Sequence, residues 1–170
     1  MVVDCGNNAQ GDKVTEWLWE NNVQEIDYLI LTHPDADHIG GADNVLRSFE
    51  VEQVIMPDIV NDTQTYWEVA QILEEEQIPV ILPEVGAHYT LGDAAFTVLC
   101  PDEKVVDPDD TNSYSVGIKL VYGEKSFVLC GDAEEKSEQA MVAAFGDGLE
   151  ADVLKCGLLR CSRQQYNLEN

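Results

Sequence analysis

The order of the apolar segments constrains the fold of this chain more than any other feature of its sequence. In the first half, short buried strands such as "IDYLILT" alternate with amphipathic helices such as "TQTYWEVAQILEEEQI". In the second half, "AHYTLGDAAFTVLCP" and "SVGIKLVYGEKSFVLCGD" each predict a β-hairpin, and a helix and a short last strand follow. This order predicts an α/β fold with mixed sheets covered by helices, rather than a purely parallel doubly wound sheet.

Four helices are predicted from the spacing of apolar residues and from helix-ending signals. In "GDKVTEWLWENN", the Asn-Asn pair is a typical helix stop. In "TQTYWEVAQILEEEQI", Trp67, Ala70 and Leu73 share an apolar face and the acidic residues take the other. The other two predicted helices are "GGADNVLRSF" and "AEEKSEQAMVAAFGDG".

The net charge of the chain argues against nucleic-acid binding through a basic surface. The 170 residues, enough for one domain, carry a formal net charge of −24 from 33 acidic and 9 basic residues. A protein that holds nucleic acid mainly by neutralising its phosphates needs a basic face, and none is evident here. The acidity also argues against anionic membranes as partners, and no apolar run is long enough to span a membrane. A phosphate substrate remains compatible, because bound divalent metal ions reverse the local field.

The five cysteines are odd in number and scattered along the chain. Three of them end apolar runs, which predicts free thiols buried as small hydrophobic side chains. The spacing of Cys156 and Cys161 is not typical of a zinc site, so the pattern indicates a reducing environment.

The stretch "LILTHPDADHIGG" combines an apolar strand with four potential metal ligands and two glycines. Imidazole and carboxylate groups are ligands that zinc, manganese and iron accept. Ligands two residues apart in a turn after a strand can converge on one ion, and the next two can face a second ion. The glycines allow a tight turn into the following helix. The alternatives are a solvated polar loop and an acidic binding module that holds one structural ion. The four ligands are His33, Asp35, Asp37 and His38.

"THPDADHIGG" resembles the signature loop of the metallo-β-lactamase superfamily, His-x-His-x-Asp-His. With aspartate in the second ligand position, it resembles the branch of the DNA-uptake channel protein ComEC/Rec2. Three further stretches resemble motifs of that branch in the same order, so the likeness covers residues 2–157. They are "VVDCG", "SFVLCGDAEE" and "LEADVLKCG".

The resemblance implies a four-layer αββα sandwich with two divalent metal ions, zinc or manganese, at one edge between the sheets. It implies that His33 and Asp35 hold one ion and that Asp37 and His38 hold the other. Asp132 is implied as the ligand that bridges both ions.

The same resemblance implies roles for two further residues and leaves one alternative open. Asp4 is implied to orient the ligands or shape the loop, and Asn112 to contact the site or the substrate. From spacing alone, Asp132 has a second interpretation as the N-cap of the helix "AEEKSEQAM". His88 is expected to be structural or exposed.

The activity implied is hydrolysis by a metal-activated water, with Asp37 orienting that water or accepting its proton. The branch points to phosphodiester substrates, small-molecule or nucleic-acid-type, and hence to nuclease-like activity. Lactam and thioester hydrolysis also occur on this fold, so the fold alone does not decide. We expect a cytoplasmic location by default, or the extracellular side of a membrane channel if the chain is part of a ComEC-like protein.

The sequence departs from the family after Gly157. Where the family has Gly-His-His-Gly-Ser, this chain has Leu158 and Leu159, and leucine cannot bind a metal ion. We therefore predict a metallo-β-lactamase-like domain over residues 1–157 and an atypical tail over 158–170, explained by a frameshift or truncation. The first strand also looks clipped at Met1. A degenerate, non-catalytic metal-binding domain of the same fold is the alternative to an active hydrolase.

Overall fold

The computed structural model describes residues 1–157, and the chain divides into two compact units, one of residues 1–82 and one from residue 83 onward. The predicted tail, with Leu158 and Leu159, lies outside the described residues. Within the described part, no helix is both long enough and apolar enough to cross a membrane.

The first unit is built on a four-stranded parallel sheet with the strand order β1-β2-β3-β4. Its strands are β1 (Val2–Val3), β2 (Glu25–Ile30), β3 (Glu50–Ile55) and β4 (Val80–Ile81). Its helices are α1 (Gly11–Glu20), α2 (Ala36–Ile39), α3 (Ala42–Ser48) and α4 (Gln64–Glu75), and a 3-10 turn covers Asn8–Gln10. Because the strands are parallel, their carboxyl ends lie at one edge, which is where ligand-binding residues collect in α/β sheets.

The core of the first unit combines the central strands with one face of each long helix. Leu29 of β2 pairs with Val54 of β3, and both are fully buried. Leu73 is buried, as predicted for the apolar face of α4, but Trp67 is 52% exposed. Val69 and Ile72 are buried beside Leu73 instead. The indole of Trp67 donates instead to the Asp62 side chain at 3.0 Å, so its polar edge stays with polar partners.

The second unit is built on a five-stranded sheet with the order β5-β6-β7-β8-β9. The ladders are antiparallel except for β8 and β9, which are parallel, so the predicted mixed character lies in this sheet. Its strands are β5 (His88–Leu91), β6 (Ala94–Cys100), β7 (Gly117–Tyr122), β8 (Lys125–Leu129) and β9 (Val153–Lys155). One helix, α5 (Glu135–Phe145), and 3-10 turns over Thr111–Tyr114 and Gly146–Leu149 complete the described part of this unit.

The second core forms between this sheet and α5, where Leu99, Val128 and Met141 are buried together. The predicted burial of the cysteines is confirmed for Cys5, Cys100 and Cys130, which are free thiols. Cys156, the fourth cysteine among the described residues, is exposed.

Candidate metal centre

The centre of the candidate site is the carboxyl edge of the first sheet. Strand β1 ends at Val3 and β2 ends at Ile30, so Asp4 and Thr32 follow neighbouring parallel strands. The backbone N–H of Asp4 donates to the Ile30 carbonyl at 2.9 Å, which extends the ladder to the point where the polar residues begin. The fold of this edge therefore brings "VVDCG" and "THPDADH" together.

Asp4 has a φ of 56°, in the left-handed region that non-glycine residues adopt at a cost. In this conformation, the Asp4 carboxylate makes hydrogen bonds to Thr32, after β2, and to His38, in α2. Its Oδ1 accepts the backbone N–H of Thr32 at 2.8 Å, and its Oδ2 accepts the Thr32 hydroxyl at 2.9 Å. The same Oδ2 lies 2.7 Å from Nδ1 of His38, and both side chains are mostly buried. Asp4 therefore holds the ends of β1, β2 and α2 together.

The hydrogen-bond partners of the two histidines decide which ring nitrogen carries the lone pair that could bind a metal ion. An ionised carboxylate only accepts hydrogen bonds, so His38 donates from Nδ1 to Asp4. The Thr32 hydroxyl has one hydrogen, which it donates to Asp4. It therefore accepts a hydrogen bond from Nδ1 of His33, which lies 3.1 Å away. In the neutral form, both imidazoles then carry their lone pair on Nε2, the pattern typical of metal-bound histidines. The two rings lie 4.1 Å apart, centroid to centroid.

Asp35 completes the donor set on the first unit. Its Oδ2 lies 3.7 Å from Nε2 of His33, which is buried with 1% of its surface exposed. Two ligand atoms about 2.1 Å from one ion in tetrahedral geometry are about 3.4 Å apart, so this pair fits a shared divalent ion with little movement. The imidazole and carboxylate donors suit zinc and manganese.

The glycines after the ligand loop have a different role from the predicted one. Gly40 and Gly41 have φ values of −59° and −93°, which any residue can adopt. A side chain at Gly40 would instead collide with the carbonyl of Ala36 and the backbone of Asn8, and one at Gly41 with the carbonyl of Cys5. The glycines are required because the ligand loop packs directly against the chain that follows Asp4.

Negative charge accumulates around this loop. Cys5 follows Asp4, and burial, then the charges of Asp4 and Asp43, raise the pKa of its thiol to about 12. Burial would disfavour a charge of either sign here, and only the smaller contribution, from the Asp4 and Asp43 carboxylates, is specific against an anion.

Two further predicted functional residues, Asp37 and Asn112, lie on different units of the chain. Asp37 is on α2 and its side chain is exposed. Asn112 lies in the 3-10 turn of the second unit, and its backbone N–H donates to the Asp110 side chain at 3.1 Å. His88 is exposed at the start of β5, as predicted, with Nδ1 3.1 Å from the Thr97 hydroxyl.

Asp132 lies in the second unit, in the turn after β8. Its N–H donates to the Ser115 hydroxyl at 3.0 Å. Lys155 donates to the Gly131 carbonyl at 2.6 Å, and its Nζ is 3.5 Å from the Asp132 carboxylate. The N-cap position of helix α5 is Glu134, whose side chain makes no capping hydrogen bond, so the alternative interpretation of Asp132 as the N-cap is wrong.

Sequence reasoning missed the residues that hold the predicted ligands. Thr32 and Asn61 contact His33 and Asp35, whereas Ser115 and Lys155 hold the turn of Asp132. Only Thr32 carried a signal, as a hydroxyl directly before the first histidine at the end of an apolar strand.

Comparison with known proteins gives the same family as the motifs. The family model described as the metallo-beta-lactamase superfamily matches residues 1–160. ComE operon protein 3 of Bacillus subtilis is 32% identical over 148 residues, which cover 86% of this chain and 19% of that protein. Recombination protein 2 of Haemophilus influenzae is 30% identical over 162 residues, which cover 92% of this chain and 18% of that protein. The chain thus spans about a fifth of the length of these relatives, and the predicted resemblance to the ComEC/Rec2 branch is confirmed.

Solved structures share the fold at low identity. A B3 metallo-beta-lactamase with an active-site glutamic acid has a TM-score of 0.60 at 15% identity, covering 91% of this chain and 66% of that one. MEM-A1, a subclass B3 metallo-beta-lactamase from a soil metagenome library, has a TM-score of 0.58 at 14% identity, covering 91% and 67%. The predicted α/β class and metallo-β-lactamase fold are thereby confirmed. The chain belongs to the metallo-beta-lactamase superfamily.

Proposed function

We propose that this chain is a metal-dependent hydrolase that cleaves phosphodiester bonds in small molecules or nucleic acids, carried by a domain of residues 1–157. The observation that supports the proposal is that His33 and His38 each place Nδ1 against a protein oxygen. In the neutral form the lone pair is then on Nε2, the arrangement typical of metal-binding histidines. A buried polar pair of this kind, with a carboxylate beside it, is the donor set that a catalytic divalent ion requires.

The proposed ligand set places two ions, zinc or manganese. His33 and Asp35 would hold the first ion, and Asp37 and His38 would hold the second. The family motifs assign Asp132 as a ligand to both. When bound, such ions lower the pKa of water and polarise the bond under attack. The assignment of Asp37 and Asp132 rests on the family motifs, and their variants are the test below.

The chain's own residues supply orientation and proton transfer. Asp4 and Thr32 hold the two imidazole rings in one tautomer and one orientation, so that neither ring has to rotate when substrate binds. Asp37 is exposed at the mouth of the ligand loop, where its carboxylate can accept the proton of the attacking water.

The choice of phosphodiesters over lactams and thioesters is supported by the similarity to the ComEC/Rec2 family, two of whose members are the matched relatives. The acidic chain, at −24, does not offer the basic surface of a protein that binds nucleic acid without metal ions. Substrate attraction therefore depends on the bound cations, and the proposal predicts little binding of a phosphodiester to metal-free protein.

One sequence observation favours a rival function. Leu158 and Leu159 stand where family members have histidines, so a degenerate domain that binds one metal ion without turnover is the second candidate. The two candidates differ in the number of ions bound and in activity.

The test measures metal content by inductively coupled plasma mass spectrometry and hydrolysis of bis-p-nitrophenyl phosphate. The hydrolase requires two ions per chain and turnover that is lost in His38→Ala, Asp37→Asn and Asp132→Asn. His88→Ala is the matched control, because His88 is exposed on β5. One ion without turnover establishes the degenerate domain, and no ion in the wild type refutes both.

A further inference from the structure

Asn61 makes a contact with the ligand loop that the ligand motif does not account for. It lies in the segment between β3 and α4, at the same carboxyl edge of the first sheet as the ligand loop. Its Nδ2 donates to Oδ1 of Asp35 at 3.0 Å and lies 3.3 Å from the carbonyl oxygen of Pro34. One amide group thus contacts two consecutive residues of the loop, 26 and 27 positions away along the chain.

The hydrogen bond distinguishes the two oxygens of Asp35. Oδ1 accepts from Asn61, whereas Oδ2 lies 3.7 Å from Nε2 of His33. The Asp35 side chain is one-third exposed, so packing alone leaves it room to rotate. A partner on Oδ1 fixes the carboxylate plane with Oδ2 toward the histidine.

We propose that Asn61 is a positioning residue that makes Asp35 a one-oxygen metal ligand through Oδ2. The inference rests on the proposed function, since it assigns Asn61 to that same metal site. Groups that hydrogen-bond to ligating side chains fix their orientation, and their loss costs about 10–100-fold in metal affinity.

The chemistry of the amide suits this role. A neutral donor orients a carboxylate without adding a positive charge that would compete with the cation, as lysine or arginine would. A histidine at position 35 would offer one lone pair to the metal and no second oxygen to accept from Asn61. Asn61 therefore matches the aspartate form of the ligand loop.

The experiment is a double-mutant cycle read out as zinc and manganese affinity, by competition with a chromophoric chelator. Asn61→Ala is expected to weaken binding about 10–100-fold in the wild-type background and to have less than about a twofold effect in the Asp35→His background. Asn61→Leu, which keeps a side chain of similar size and removes the donor without adding a charge, is expected to weaken binding about as much as Asn61→Ala.

Asn44→Ala is the matched control. Asn44 lies on α3, and its Nδ2 donates to Oδ1 of Asp12 at 2.9 Å, so the pair is outside the ligand loop. It is expected to leave metal affinity unchanged. Equal losses in the wild-type and Asp35→His backgrounds, or no loss in either, overturn the role of Asn61 while leaving the proposed function intact. A wild-type chain that binds neither metal overturns the proposed function and this inference together.

Discussion

Nδ1 of His38 lies 2.7 Å from Oδ2 of Asp4, although 34 positions separate the two residues. The contact joins the end of the first strand to the short helix within the ligand loop. It also sets the tautomer of a proposed metal ligand, so its loss is expected to affect both folding and metal binding.

Replacement of Asp4 by asparagine tests this contact without changing the backbone preference, because asparagine tolerates the left-handed conformation that Asp4 adopts. We expect Asp4→Asn to lower the free energy of unfolding by about 1.5–3 kcal/mol, the usual contribution of a hydrogen bond to a charged group. Metal affinity should fall about 10–100-fold. Urea denaturation and chelator competition measure the two effects, and wild-type values in both would refute the role of Asp4.

The Thr32 hydroxyl is expected to contribute to stability and metal binding through its hydrogen bonds, and not by filling space. Thr32→Val keeps the shape of a fully buried side chain but removes the donor to Asp4 and the acceptor for His33. We expect a loss of about 1–3 kcal/mol in unfolding free energy, together with weaker metal binding. Thr15→Val is the control, since the Thr15 hydroxyl bonds to the Asp12 carbonyl within α1, and it should leave metal affinity unchanged. Equal metal affinities in the two variants would contradict the prediction.

The buried thiol of Cys5 predicts a dependence of stability on alkaline pH. Its pKa is raised from 9.0 to about 12 by burial and by Asp4 and Asp43, so the unfolded chain loses this proton first as pH rises. Below pH 9 the thiol is protonated in both the folded and the unfolded chain, so the fold keeps its full stability. Between pH 9 and 12 the unfolding free energy falls by up to about 1.4 kcal/mol per pH unit.

Urea denaturation at several pH values checks this sign. Cys5→Ala should show a shallower fall in stability above pH 9 than the wild type. Cys156→Ala, at an exposed position, should follow the wild-type curve. A Cys5→Ala curve parallel to the wild type would show that the thiol is not the group responsible.

Two lysines with carboxylate partners in the second unit are expected to differ in importance. Lys155 donates to the Gly131 carbonyl in the turn of Asp132, whereas Lys125 pairs with Asp152 on the surface. The Lys125 hydrogen bond lowers the pKa of Asp152. The pair therefore stabilises the fold fully above the usual aspartate pKa, and this contribution is lost as pH falls from there through the lowered pKa. Lys155→Met should cost about 1 kcal/mol of unfolding free energy, and Lys125→Met should cost less, because exposed pairs contribute little. Thermal unfolding of the two variants at neutral pH decides.

Much of the fold was predictable because its signals are local. Both predicted hairpins are present, with Gly92-Asp93 in the turn between β5 and β6 and Gly123-Glu124 in the turn between β7 and β8. The Asn-Asn pair ends α1, with Asn22 at a φ of 58°. Helix α2 was missed because four residues are too short to show any periodicity. Leu73 was placed correctly on the buried face of α4, but Trp67 was placed there wrongly. Tryptophan counts as apolar in a spacing argument, although its indole N–H needs a polar partner.

The candidate site was predictable to the extent that its residues are contiguous. His33, Asp35 and His38 stand within six positions, so their pattern is visible in the sequence. Asn61 is not visible in the same way, because an asparagine in a polar segment is common and its partner is 26 positions away. The contact exists only because β2 and β3 are neighbours in a parallel sheet and direct their following loops to one edge.

The close packing at Gly40 and Gly41 has a consequence for engineering. The ligand loop rests on the backbone of residues 5–8 with no side chain between them, so the loop and its support form one jointly shaped surface. Transplanting the thirteen-residue ligand segment onto another α/β scaffold would transfer the candidate ligands without the backbone of residues 5–8 that supports the loop. A functional graft has to move residues 4–11 together with it, as a two-segment module.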